Sequence, residues 1–152
     1  MRFYFIDRIT ELTPGKSIRG YKNVSMAEPY FSTHFPNYPV LPGVIIIEAM
    51  AQLAGMLIES SPQEGGENKK ALLSIVDRVK FKKPVRPGDR LDMTADLVIF
   101  DEDGARAEVT ASVGGELISR TRLTFALMEV PPQFAPLLQQ ERAALLLALK
   151  SK

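Results

Sequence analysis

Residues 42–60 constrain the fold of this chain more than any other stretch. Across residues 44–58 every side chain is apolar except at Glu48, Gln52 and Gly55, and a helix apolar on all sides belongs inside a protein. Pro42 fits a first helical position, where its missing N–H is no loss, and Gly43 lets a ligand or another backbone approach the amides that follow. At about 1.5 Å per residue this helix is roughly 27 Å long, the diameter of a small domain, so the rest of the chain is expected to wrap it. That length would also span a bilayer. An acid, an amide and a proline fall inside the window, however, and no basic residues flank its start, so no membrane insertion is expected. Just before the helix, the only histidine, His34, sits in a loop stiffened by Pro36, Pro39 and Pro42. A carboxylate on a buried helix next to a rigid histidine loop points to proton transfer.

Composition narrows the function classes. With 19 basic and 18 acidic residues, the chain lacks the electrostatic footprint of a nucleic-acid binder. Without cysteine there are no disulfides, thiolate metal sites or cysteine nucleophiles, and one histidine leaves no recognisable metal set. The start, Met-Arg-Phe-Tyr-Phe-Ile-Asp, breaks its apolar run too early for a secretory signal, and a cytoplasmic location is expected.

Around the helix the pattern is β. Residues 2–9 and 17–24 read as two strands about a Thr13-Pro14-Gly15 turn. The loop 25–41 carries Phe31, Phe35 and Tyr38, whose plain reading is as packing anchors, and 61–70 is a polar, glycine-bearing linker. Four more strands are expected at 71–81, 90–100, 105–113 and 116–128, joined by short turns as an antiparallel meander. A two-residue loop at Gly114-Gly115 would set Val113 opposite Glu116 and Val109 opposite Arg120, mixing apolar and polar side chains on one face. Either a bulge shifts the register or both faces are partly covered. Beyond Pro131-Pro132, residues 135–149 should be helical, with Leu138, Leu145 and Leu149 at helical spacing for docking on the body or on a neighbour. The expected organisation is one α+β domain over 1–133 with a helical extension over 134–152.

His34-Phe35-Pro36, Pro39-Val40, Pro42-Gly43-Val44 and Glu48-Ala49-Met50-Ala51-Gln52 together resemble the signature of the 3-hydroxyacyl-[acyl carrier protein] dehydratases of type II fatty-acid synthesis, of the FabZ type. Lys22-Asn23-Val24-Ser25, Glu28-Pro29, Phe81-Lys82-Lys83-Pro84-Val85 and Pro87-Gly88-Asp89 extend the likeness, which runs over residues 5–127. The resemblance implies a hot-dog fold, a curled antiparallel sheet around one long helix. It also implies a homodimer, often a trimer of dimers, with each site shared so that His34 of one chain faces Glu48 of the other across an acyl tunnel. Relatives that also isomerise the double bond carry Asp at the position of Glu48, so plain dehydration is expected. No cofactor is implied, because the substrate arrives on the phosphopantetheine arm of acyl carrier protein.

The chemistry is consistent with those residues. Losing water from a 3-hydroxyacyl thioester requires taking a proton from C2 and giving one to the departing C3 hydroxyl. Histidine suits the base near neutrality and a carboxyl on an apolar helix suits the acid. Alternatively His34 performs both transfers while Glu48 orients the hydroxyl or a water. The helix start at Gly43 offers an N–H and the positive end of the dipole to the thioester oxygen, a role the family gives this glycine. By the same resemblance the Val40 carbonyl orients the imidazole. Gln52, one turn beyond Glu48, could tie the helix to the His34 loop or hold the acid.

Between residues 78 and 90, Arg78, Lys80, Lys82, Lys83, Arg86 and Arg90 outnumber the acid Asp89. They are either a solvated strand edge or a docking patch for acidic acyl carrier protein. Asn37 stands where the family commonly has glycine, a substitution that asparagine's tolerance of left-handed backbone allows. The late start and the added C-terminal helix also depart from the family and leave room for a polyketide or polyene pathway. Two rival functions are a hot-dog thioesterase, which would not need the His34–Gly43 loop, and a non-catalytic or accessory acyl-binding subunit.

Overall fold

The computed structural model describes residues 3–62 and 69–150. Helix α1, Gly43–Ser60, is held by strands β1 (Arg8–Thr13), β2 (Ser17–Asn23), β3 (Lys69–Asp77), β4 (Arg90–Phe100), β5 (Gly104–Val113) and β6 (Glu116–Glu129), and helix α2, Ala135–Leu149, closes the chain. The strands form one antiparallel sheet in the order β1-β2-β4-β5-β6-β3. Because α1 lies between β2 and β3 in sequence, the chain leaves the sheet near one edge and re-enters it at the other. The α+β hot-dog architecture is therefore as expected, and α2 coincides with the expected 135–149.

One face of α1 meets the sheet, with Ile46, Ala49, Met50, Leu53, Ala54, Leu57 and Ile58 buried against Ile18, Leu91, Met93, Val109 and Leu123. The approach is close at Gly20 of β2, where a Cβ would lie 2.5 Å from the Arg8 carbonyl oxygen and 3.1 Å from Leu53 Cδ1. A serine ties down the helix end: the Ser61 hydroxyl donates to the Leu57 carbonyl at 2.6 Å and accepts from the Gly15 amide at 2.7 Å. The expectation that the chain wraps α1 on every side is corrected. Val44 is 71% exposed, and Ile45, Ile47, Glu48 and Gln52 are half-buried. A single chain covers the sheet-facing side of α1 and leaves part of the other side open.

Register follows the bulge alternative. Val113 pairs with Glu116 as the two-residue loop demands, but the register shifts between Ala111 and Ser112, so Val109 faces Thr121 and Ala107 faces Leu123. Ile118 and Ser119 are both buried, as neighbours across a bulge must be to restore one apolar face.

Other boundaries move. The first strand begins at Arg8, not residue 2, because the backbone at Phe3 and Phe5 pairs with a side chain of α1. Strand β3 ends at Asp77, so residues 78–81 are not strand. Part of the expected 61–70 linker, residues 63–68, lies outside the described residues. In the 25–41 loop Phe31 is buried, while Phe35 and Tyr38 are about half exposed, at 53% and 52%, and anchor no core.

Candidate active site

His34 follows a short 3-10 turn, Pro29–Ser32, and its amide donates to the Tyr30 carbonyl at 2.9 Å. Phe35 and Tyr38 exchange backbone hydrogen bonds at 3.1 and 2.9 Å, and Asn37 between them has φ +63°. The left-handed turn is kept by a residue whose short polar side chain tolerates it. Val40 closes the loop by donating its amide to the His34 carbonyl at 3.0 Å, and its own carbonyl lies 2.7 Å from His34 Nδ1. A carbonyl only accepts, so Nδ1 carries the proton of the neutral ring and Nε2 presents a lone pair. Local geometry thus fixes one imidazole tautomer and leaves one nitrogen for chemistry.

Gly43 opens α1, where the first amides have no carbonyl within the helix to bond. A Cβ there would lie 2.7 and 2.9 Å from two atoms of the Phe81 ring, so glycine is required for that ring to pack over the helix start. Glu48 lies one turn along. Gln52 Nε2 donates to Glu48 Oε1 at 3.0 Å and to the Phe3 carbonyl at 3.0 Å, while Gln52 Oε1 accepts from the Phe5 amide at 2.8 Å. Of the two expectations for Gln52, holding the acid agrees with this geometry. The tie it makes is to residues 3–5 and not to the His34 loop. With Oε1 taken by Gln52, Glu48 Oε2 is the oxygen left for a substrate.

Within one chain His34 and Glu48 are not brought together. Among the described residues no hydrogen bond or ion pair joins them, and the cavity that Glu48 lines does not include His34. That cavity, about 310 Å³, runs along α1 past Gln52, Gly55 and Glu59 and is walled by Leu73 of β3 and by Leu138 and Leu145 of α2. Glu59 went unremarked in the sequence although it was findable: Glu48, Gln52, Gly55 and Glu59 fall at i, i+4, i+7 and i+11 on one helix face.

The basic run lies mainly on the loop between β3 and β4, not on a strand. All six residues are exposed. Lys83 pairs with Glu116, and Arg90 pairs with Asp92 at 3.0 Å and covers the Tyr21 ring. Arg78, Lys80, Lys82 and Arg86 have no acidic partner among the described residues. The Arg86 guanidinium sits 4.7 Å from the centroid of Tyr38 in the His34 loop, which places free positive charge beside that loop.

A long helix in a curled six-stranded antiparallel sheet, with a histidine loop leading into its start, defines a hot-dog protein. Solved structures agree on the fold: the dehydratase heterocomplex ApeI:P from Xenorhabdus doucetiae aligns with TM-score 0.65 and 18% identity over 86% of each chain. Zebra fish thioesterase superfamily member 2 aligns with TM-score 0.61 and 16% identity, covering 79% of this chain and 80% of that one. The FabA-like domain model matches residues 1–122. The 3-hydroxyacyl-[acyl-carrier-protein] dehydratase FabZ of Clostridioides difficile is 42% identical over 127 residues, 84% of this chain and 88% of its own length. The Bacillus subtilis FabZ is 42% identical over 129 residues, 84% and 89%. The chain belongs to the FabZ branch of the FabA-like family.

Proposed function

We propose that this protein is a hydro-lyase that removes water from 3-hydroxyacyl thioesters carried on acyl carrier protein, giving trans-2-enoyl thioesters in fatty-acid or related polyketide or polyene synthesis. The observation that carries the reading is the His34–Val40 contact, which leaves Nε2 as a free base within a family whose relatives are named for this reaction. In the forward direction Nε2 takes a C2 proton, negative charge grows on the thioester oxygen, and the amide at Gly43 with the α1 dipole stabilises it. Glu48 Oε2 protonates the C3 hydroxyl, which leaves as water. His34 then returns its proton and Glu48 regains one from solvent, so the site is reset without a cofactor.

The working unit is a homodimer with shared sites, and two observations support it. Among the described residues His34 does not line the cavity that Glu48 lines, which fits a site completed by a second copy. Strand β3 is also, among the described residues, an unpaired sheet edge, on which Leu72, Leu73, Ile75 and Val76 are 39–50% exposed. A long apolar edge of this kind pairs readily with another strand, and two copies of β3 would meet about a two-fold axis. Three such dimers form the larger assembly usual for this kind of enzyme. Arg78, Lys80, Lys82 and Arg86, with Lys83 at their margin, receive the acidic acyl carrier protein, whose phosphopantetheine arm carries the chain inward. The enzyme works in the cytoplasm.

Hydration of crotonyl thioesters, followed as loss of enoyl absorbance, tests the reading. Turnover to the 3-hydroxy product is expected, on the carrier protein with a strong salt dependence. Release of free thiol without hydration would mark a thioesterase, and silence on carrier-protein and coenzyme A thioesters of several lengths would mark a non-catalytic acyl binder.

A further inference from the structure

Helix α2 lies beyond residue 122, where the FabA-like match ends. Its Leu145 and Leu138 nevertheless face the same cavity as Glu48. Polar contacts hold the helix in place: Arg142 donates to the Lys69 carbonyl at 3.1 Å and pairs with Glu59 at 3.4 Å. Glu59 is paired in turn with Lys70 at 3.1 Å and accepts from the Ala71 amide at 3.0 Å. The side chains of Glu59 and Arg142 are only 9% and 15% exposed. Charged groups this buried are held in place by one another, and an apolar chain pressed against them would have to separate a paired acid from its bases.

We infer that α2 and the Glu59–Arg142–Lys70 cluster form the end wall of the acyl chamber and set the longest chain the enzyme accepts. This inference rests on the dehydratase reading for the identity of the occupant. The chamber starts at the acid and ends at the cluster. Glu48 to Glu59 is roughly 16 Å along the helix, and Glu48 to Gly55 roughly 10 Å. At roughly 1.3 Å per carbon in a staggered chain, these distances hold about twelve and about eight carbons beyond the reacting centre. Leu73, Leu138 and Leu145 give that chain apolar walls, and each methylene placed against them gains roughly fourfold in binding or in kcat/KM. Gly55 leaves the channel open, since a Cβ there would meet nothing within 4 Å. A larger side chain at residue 55 would therefore enter the chamber without disturbing the packed core.

The test compares wild type, Gly55→Leu and Leu145→Ala on four-, eight-, fourteen- and eighteen-carbon chains, the last of which is longer than the wild-type chamber, with two readouts. Calorimetric binding of saturated acyl-pantetheine thioesters needs no chemistry, and turnover of the matching enoyl thioesters does. Gly55→Leu is expected to lower the fourteen- to four-carbon ratio at least about tenfold in both, while Leu145→Ala raises the longest chain accepted. A Gly55→Leu ratio equal to wild type, or a Leu145→Ala length profile that superimposes on wild type, overturns the end wall. If binding shifts as expected while wild-type turnover is silent at every length, the end wall stands and the dehydratase reading falls.

Discussion

Removing the Gln52 side chain separates positioning of the acid from simple structural support. Gln52→Ala deletes three hydrogen bonds, two of which hold residues 3–5 against α1 and one of which holds Glu48. A net hydrogen bond is worth about 1 kcal/mol and one to a carboxylate somewhat more, while an unpaired buried amide adds a penalty of about 1–3 kcal/mol. The Phe5 amide would be left in that state, in a residue only 3% exposed. Water entering the vacated space relieves part of this, so a loss of roughly 2–3 kcal/mol is expected, or a fall in Tm of about 5–10 °C for a chain of this size. Freed of its partner, the Glu48 carboxyl samples rotamers that do not face the substrate, and kcat should fall about tenfold or more. Thermal unfolding and crotonyl hydration on the same preparations read the two effects. A fall in Tm with unchanged kcat would show that Gln52 only anchors the N-terminal segment. If both values match wild type, the reasoning fails altogether.

Glu28→Ala should lower stability by about 3 kcal/mol in denaturant titration, because it strands the Lys22 ammonium, whose side chain is 7% exposed and paired with Glu28 at 2.9 Å. An unchanged midpoint would mean that water already solvates that ammonium. Arg142→Ala should weaken docking of α2 by roughly 2 kcal/mol, seen as faster hydrogen exchange across Ala135–Leu149 while the sheet stays protected. Ile75→Lys on the exposed β3 edge should leave a folded chain that elutes as a monomer and has lost its activity. A dimer of normal activity would place the subunit contact elsewhere.

The sheet and the long helix were legible because their signals are local. The turn residues on either side gave β4 its bounds, the awkward pairing around Gly114-Gly115 called for either a bulge or cover on both faces and the bulge lies at Ala111/Ser112, and Asn37 proved able to hold the turn that glycine usually makes. The N-terminal segment was misread because its hydrogen bonds go to Gln52, a side chain 47 residues away from Phe5 that no local pattern reveals. Burial of Glu48 was overestimated for another reason: an apolar helix reads the same whether its cover comes from its own chain or from a second one. The part played by α2 was hidden similarly, since leucines at helical spacing show that a helix docks but not that it docks over a cavity containing the acid.

The most direct test of the account is activity after mixing and refolding His34→Ala with Glu48→Ala. Each variant alone should be inactive. Random pairing makes half the dimers mixed, each with one intact site, so the mixture should regain about a quarter of wild-type activity. A silent mixture, with subunit exchange verified by co-purification of differently tagged chains, would place both residues of each site in one chain and contradict the shared site.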